Sequence, residues 1–134
     1  MVEFDFIDIT PFDLNYINDW YEKVCSEEGK QLGAMSVIIG TDEWLLEQNI
    51  KYLEHDFYTD IITFDYVEGD IISGDLLISL DRVHENAEEY NVSRETELNR
   101  VIIHGLLHLC GYADHSEKDI KIMREKEDYY LSLL

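Results

Sequence analysis

The chain has 134 residues, 46% of them apolar, and a formal net charge of −20 from 10 Lys and Arg against 30 Asp and Glu. That length makes one domain, residues 1–134, with enough apolar material for a real core. The charge excludes a generic polyanion-binding module, because such a surface repels nucleic acid at long range and binds it only through a local basic patch.

No apolar run is long enough to span a bilayer, so no membrane partner is expected. The acidic start Met1-Val2-Glu3-Phe4-Asp5-Phe6 lacks the basic beginning of a signal peptide. Two cysteines, Cys25 and Cys110, do not make a disulfide framework. A reducing, cytoplasmic setting is the expectation. Acidic and apolar residues interleave throughout, so the charge is not a disordered tail.

In chain order, Val2 to Ile9 reads as a first strand. Thr10-Pro11 reads as a helix start, with Thr10 as cap and Pro11 in the first turn, followed by Leu14, Ile17, Tyr21, Val24 and Cys25 at helical spacing. Gly29 ends that helix. Leu32 to Gly40 suits a second strand, and Asp42 caps a second helix carrying Trp44, Leu45, Ile50 and Leu53. After a connection over His55 to Asp60, the alternation of Ile62, Phe64 and Tyr66 marks a third strand, Ile61 to Val67. A turn at Glu68-Gly69-Asp70 pairs it as a hairpin with Ile71 to Leu80. Asp81 to Tyr90 is a short polar helix.

Ser93 caps the next helix, with Glu95 and Glu97 in its first turn, where negative charge is favourable. Leu98, Val101, Ile102, Leu106 and Leu109 make this helix apolar on most sides, so it is expected to be central and buried. It carries His104 and His108 on one face, about 5–6 Å apart at Cβ. Gly111 ends it in a left-handed residue and turns the chain back, bringing Asp114 or His115 toward the histidines. Two imidazoles and one further donor leave an open position on a zinc ion, the layout of a catalytic site rather than a structural one. The zinc peptidases carry a Glu after the first histidine; Gly105 stands there, so a peptidase would need its base from elsewhere. Cys110, between His108 and Gly111, is expected to pack as a small apolar residue. Glu117 to Leu134 forms a last amphipathic helix.

The order βαβαββααα indicates an α+β domain, a small four-stranded mixed sheet packed on the central metal-bearing helix with further helices around it. The segment His104 to Tyr112 resembles the His-Gly-x-Leu-His-Leu-x-Gly-Tyr signature of the YbeY endoribonuclease (rRNA maturation factor) family. Thr59 to Phe64 resembles that family's Thr-Asp-Val-Leu-Ser-Phe strand, and Gly74 to Ser79 its Gly-Asp-Ile-x-Ile-Ser strand. The resemblance implies a zincin-like fold with one Zn2+ per chain. It implies an endoribonuclease that hydrolyses single-stranded RNA, in maturation of the small-subunit ribosomal RNA 3′ end and ribosome quality control. Small-subunit assembly proteins would then be partners.

Two departures stand out. The family motif usually ends Gly-Tyr-Asp-His, whereas this chain reads Gly111-Tyr112-Ala113-Asp114-His115. The family's downstream Met and acid match Met123 and Glu127 if Asp114, not His115, is the third ligand, giving His104, His108 and Asp114 as the implied set. A family Arg before the Thr-Asp strand is replaced by Leu53, with only Lys51 nearby. Lys118, Lys121, Arg124 and Lys126 form the one basic cluster, and Lys118 and Lys121 are candidates for backbone phosphate contacts. Asp60 and Asp75 are candidate bases, and Tyr58, Tyr66 and Tyr112 candidate base stackers. Two other readings compete: a zinc hydrolase of a non-RNA substrate, and an assembly protein whose metal is mainly structural.

Overall fold

The computed structural model describes all 134 residues. The elements run β1 (Val2–Phe6), α1 (Tyr16–Glu27), β2 (Gln31–Gly40), α2 (Asp42–Leu53), β3 (Ile61–Asp65), β4 (Ile71–Ser79), α3 (Leu80–Glu89), α4 (Arg94–Leu109) and α5 (Glu117–Leu131). This is the element order expected from the sequence. The sheet order is β1-β2-β4-β3, with β1 and β4 parallel to β2 and β3 antiparallel to β4. The fold is therefore α+β on a four-stranded mixed sheet. No helix is long and apolar enough to cross a membrane.

Alternation on β4 assigns the two faces. Ile72, Leu76 and Ile78 join the large core with Val101, Ile102, Leu106 and Leu109 of α4. Leu77 joins Leu45 of α2 and Ile62 of β3 in a small second core on the other face. The sheet is thus covered on both sides, and α2 is the helix on the far side from α4. Helix α4 is buried along most of its length, and Ile102, Ile103, Leu106 and Leu107 are fully enclosed. Each such side chain contributes about 1.5–3 kcal/mol on leaving water. Polar tips inside the core are satisfied: Tyr21 Oη donates to the Ile102 carbonyl at 2.7 Å, and Trp20 Nε1 to the Tyr130 carbonyl at 2.9 Å. These two bonds tie α1 to α4 and α5.

Four local expectations are corrected. Helix α1 starts at Tyr16 after Asn15, not at Thr10-Pro11. The Asp13 carboxylate accepts from the Asn15 N–H at 2.8 Å, and Phe12 packs edge-on against Phe6. The segment is spent on a turn and a strand contact, which compete with helix. The first strand likewise ends at Phe6, with Asp8 at φ +57°. Thr41, not Asp42, caps α2, its hydroxyl accepting from the Trp44 N–H; Ile50 and Leu53 of that helix are exposed. Finally, Asp75 shares the parity of Leu77, so it faces away from α4 and toward Tyr66, and it is not a base for a site on α4.

Candidate metal centre

Helix α4 is fixed by its ends. Ser93 caps it, accepting from the Thr96 N–H at 3.0 Å, with Glu95 and Glu97 in the first turn. At the other end Gly111 has φ +110°, a region open to glycine at little strain, and turns the chain back. Ser116 and Asp119 then form a capping box that starts α5. The return loop between those two signals places Asp114 over the end of α4.

His104 is held from two sides. Its Nδ1 lies 2.7 Å from Glu127 Oε2 on α5, and its Nε2 lies 3.5 Å from Asp114 Oδ2. A carboxylate only accepts, so the Nδ1–H is spent on Glu127 and Nε2 is left to face Asp114 and the cleft. Glu127 is 4% exposed. Its other oxygen accepts from Arg100 Nη1 at 3.0 Å, while Arg100 Nη2 donates to Asp128 at 2.8 Å. A chain of Asp128, Arg100, Glu127 and His104 thus runs between α4 and α5. The hydrogen bond to Glu127 holds His104 above the usual imidazole range, against the opposing effect of burial.

His108, one turn further on, is exposed and lines the same open cleft of about 320 Å³ as His104, Asp114, Asp60 and Leu53. No three His, Cys, Asp or Glu side chains are already closed around a common point at ligand distance. Two of the donors, His104 and Asp114, are nevertheless spaced as ligands of a divalent cation would be. The 3.5 Å between His104 Nε2 and Asp114 Oδ2 is close to the edge of about 3.4 Å of a tetrahedral zinc shell with bonds near 2.0–2.1 Å. Glu127 on the far nitrogen is the partner that fixes a ligating imidazole's tautomer. His115 is exposed and makes no hydrogen bond or ion pair with the site.

Gly105 faces the sheet, not the cleft. A Cβ there would lie 2.8 Å from both Leu76 methyls and 3.0 Å from Ile61. A side chain there would have to push the Leu76 and Ile61 methyls aside, and it would point at the sheet rather than the cleft, so this position cannot supply a base to the site. Cys110 faces Cys25 and the core, as expected. Asp60 lines the cleft beside His104, and burial pushes its carboxyl up while His104 opposes. Its carbonyl accepts the Ser79 N–H at 2.9 Å, which fixes its backbone.

The remaining candidates divide. Lys118 and Lys121 are exposed and make no ion pair, whereas Lys126 is drawn to Glu28 at 3.3 Å. Tyr112 is anchored at its edge, its hydroxyl donating to Glu28 at 2.6 Å, and Lys126 lies 5.6 Å over its ring. Tyr58 and Tyr66 are about half exposed. Leu53 does line the cleft, so an apolar side chain borders the position where the family pattern has an Arg.

Arg100, Glu127 and Glu28 are the residues that the sequence pattern does not single out for their roles. Arg100, His104 and His108 are spaced by four, so they share a helix face, and that spacing was the available signal. Glu28, at the end of α1, accepts from Tyr112, Tyr130 and Lys126 and so anchors both the return loop and α5. That node joins residues far apart in the chain and has no local pattern.

An imidazole pair and a carboxylate opening on a solvent cleft, on a helix buried against a mixed sheet, form the donor set that metal-assisted hydrolases use. Comparison with known proteins narrows the class. The family model described as Endoribonuclease YbeY matches residues 7–134. The Endoribonuclease YbeY of Bacteroides thetaiotaomicron is 50% identical over 115 residues, 86% of this chain and 84% of that protein. That of Christiangramia forsetii is 43% identical over 134 residues, covering 98% and 94%. The solution structure of TM1509 from Thermotoga maritima superposes with a TM-score of 0.73 at 30% identity, over 98% of this chain and 87% of that one. The chain belongs to the endoribonuclease YbeY family.

Proposed function

We propose that this protein is a zinc-dependent endoribonuclease that cleaves single-stranded RNA, acting in the cytoplasm on the 3′ end of small-subunit ribosomal RNA during ribosome biogenesis. Family membership supports the nuclease class. The observation that carries the site is His104, clamped by Glu127 on one nitrogen and presenting the other to Asp114 and the cleft.

His104, His108 and Asp114 would hold one Zn2+ in a zincin-like setting. When bound, such an ion lowers the pKa of water toward neutrality or polarises a phosphoryl oxygen. The chain's own residues do the rest. Glu127 keeps the His104 ring oriented, and Arg100 keeps Glu127 in place. Asp60, raised by burial and beside His104, is the carboxylate positioned to take a proton from an attacking water. Lys118 and Lys121, exposed on α5 with no ion-pair partner, supply backbone phosphate contacts on an otherwise acidic surface. An assembly protein with a mainly structural metal is the second reading, favoured by Leu53 on the cleft wall and the net charge of −20.

His108→Ala separates the two. His108 is exposed, so the variant folds, and in the proposed function it loses cleavage of single-stranded RNA while its melting temperature stays near wild type. Full cleavage by His108→Ala overturns the site. Metal-dependent folding with no cleavage of any RNA by the zinc-loaded wild type favours the assembly reading.

A further inference from the structure

Glu97 has no role in the chemistry above, yet its environment is unusual. It is 4% exposed. Its carboxylate accepts no hydrogen bond in the chain and has no basic group within ion-pair distance. Arg100, three residues on, is turned instead to Glu127 and Asp128. Burying a carboxylate without a donor is unfavourable, and burial pushes the Glu97 carboxyl up. The oxygens are not sealed in, however, for no buried side-chain oxygen or nitrogen lacks both partner and access. They open on a cavity of about 340 Å³ that also reaches His104, Arg124, Asn86 and Tyr90. Two helical turns separate Glu97 from His104 on the same face of α4, about 10 Å along the axis. The cavity is therefore a side chamber of the cleft.

The lining defines what it takes. Arg100 and Arg124 border it as well as carboxylates, and no cluster of donors is arranged for a metal ion. The occupant must offer two adjacent donors to Glu97 and acceptors to a guanidinium. Among unpaired nucleobases, guanine does this: N1–H and the N2 amino group lie side by side, and the adjoining edge carries O6 and N7, which a guanidinium recognises as a fork. Adenine and cytosine set their amino group beside an acceptor, and uracil sets one N–H between two carbonyls. Arg124 is mostly exposed, with only a 3.6 Å contact to Glu127, so it is free to turn to a base. Tyr90 at the rim is 58% exposed and offers a stacking face.

We propose that Glu97 and Arg124 form a guanine pocket that seats the nucleotide next to the phosphate cleaved at His104. The proposal rests on the RNA-cleaving reading for its place in the reaction, but the pocket itself is testable without cleavage.

The experiment is titration of the full chain with the four nucleoside 5′-monophosphates, followed by amide NMR. Guanosine monophosphate is expected to bind at least tenfold more tightly than the other three and to shift amides around Glu97 and Arg124. A good bidentate contact gives about ten- to hundredfold discrimination. Glu97→Gln should erase that preference without changing the metal content. Arg124→Gln, at an exposed position that folding does not need, should weaken guanosine monophosphate alone by about tenfold. Equal affinity for all four nucleotides, or a preference unchanged in both variants, overturns the pocket. Cleavage of RNAs that differ only beside the cut gives an independent reading: a guanine preference supports the pocket, and indifference to the base overturns it. If wild type cleaves no RNA while guanosine selectivity persists, the pocket stands and the nuclease reading falls.

Discussion

Replacing Glu127 by Gln keeps the side chain's shape and removes its charge. The carboxylate makes two short contacts from a nearly sealed position, 2.7 Å to His104 Nδ1 and 3.0 Å to Arg100 Nη1. Hydrogen bonds to charged groups contribute about 1.5–3 kcal/mol each. The amide keeps one acceptor oxygen, so only one of the two contacts survives, and its NH2 faces a donor at the other. Arg100 retains Asp128 at 2.8 Å, which limits the damage to one contact. The variant should therefore lose about 1.5–3 kcal/mol of stability without metal. With His104 no longer held in one tautomer, zinc affinity should fall about 10–100-fold, or about 1.4–2.7 kcal/mol. Chelator competition measures the affinity, and melting with and without chelator separates it from the loss of stability. Zinc affinity within twofold of wild type would refute the claim that Glu127 orients a metal ligand.

Other expectations are simpler. Asp114→Ala should weaken zinc more than His115→Ala, since Asp114 faces His104 Nε2 and His115 faces solvent; metal analysis of the two variants decides, and the reverse order makes His115 the ligand. Gly105→Ala should destabilise by up to about 2 kcal/mol, because crowding Leu76 and Ile61 at 2.8–3.0 Å costs about 1–3 kcal/mol and alanine recovers about 1 kcal/mol of helix propensity; a raised denaturation midpoint would contradict the packing. Burial pushes Glu28 up, but hydrogen bonds from Tyr112, Tyr130 and Lys126 outweigh it and hold the carboxyl below its ordinary value. A depressed folded value gives stability that is complete above the unfolded pKa of about 4.3 and is lost as pH falls through the folded value. Glu28→Gln should flatten that acid limb in denaturation curves taken from pH 6 downward, and an unaltered limb would show that the node does not couple to folding.

Much of the fold is legible because its signals are local. Hydrophobic period, the hairpin turn at Gly69 and the caps at Ser93 and Gly111 mark the elements without reference to anything distant. Thr10-Pro11 carries a helix-start signal as strong as Ser93 does, but Asp13 and Phe12 take that segment for tertiary contacts. The histidine pair is legible for the same reason as the elements, being one helix turn apart. Its support is not: Glu127 reaches His104 across 23 residues and Arg100 reaches Glu127 across 27. Asp75 shows the opposite failure, since its strand was readable but which sheet face met α4 was not.

The metal content of freshly purified, unsupplemented protein tests the central claim most directly. Elemental analysis should find about one zinc per chain in wild type and essentially none in His108→Ala, whose exposed position leaves the fold intact. Full zinc in His108→Ala, or a metal-free wild type that still cleaves single-stranded RNA in chelator, would contradict the account.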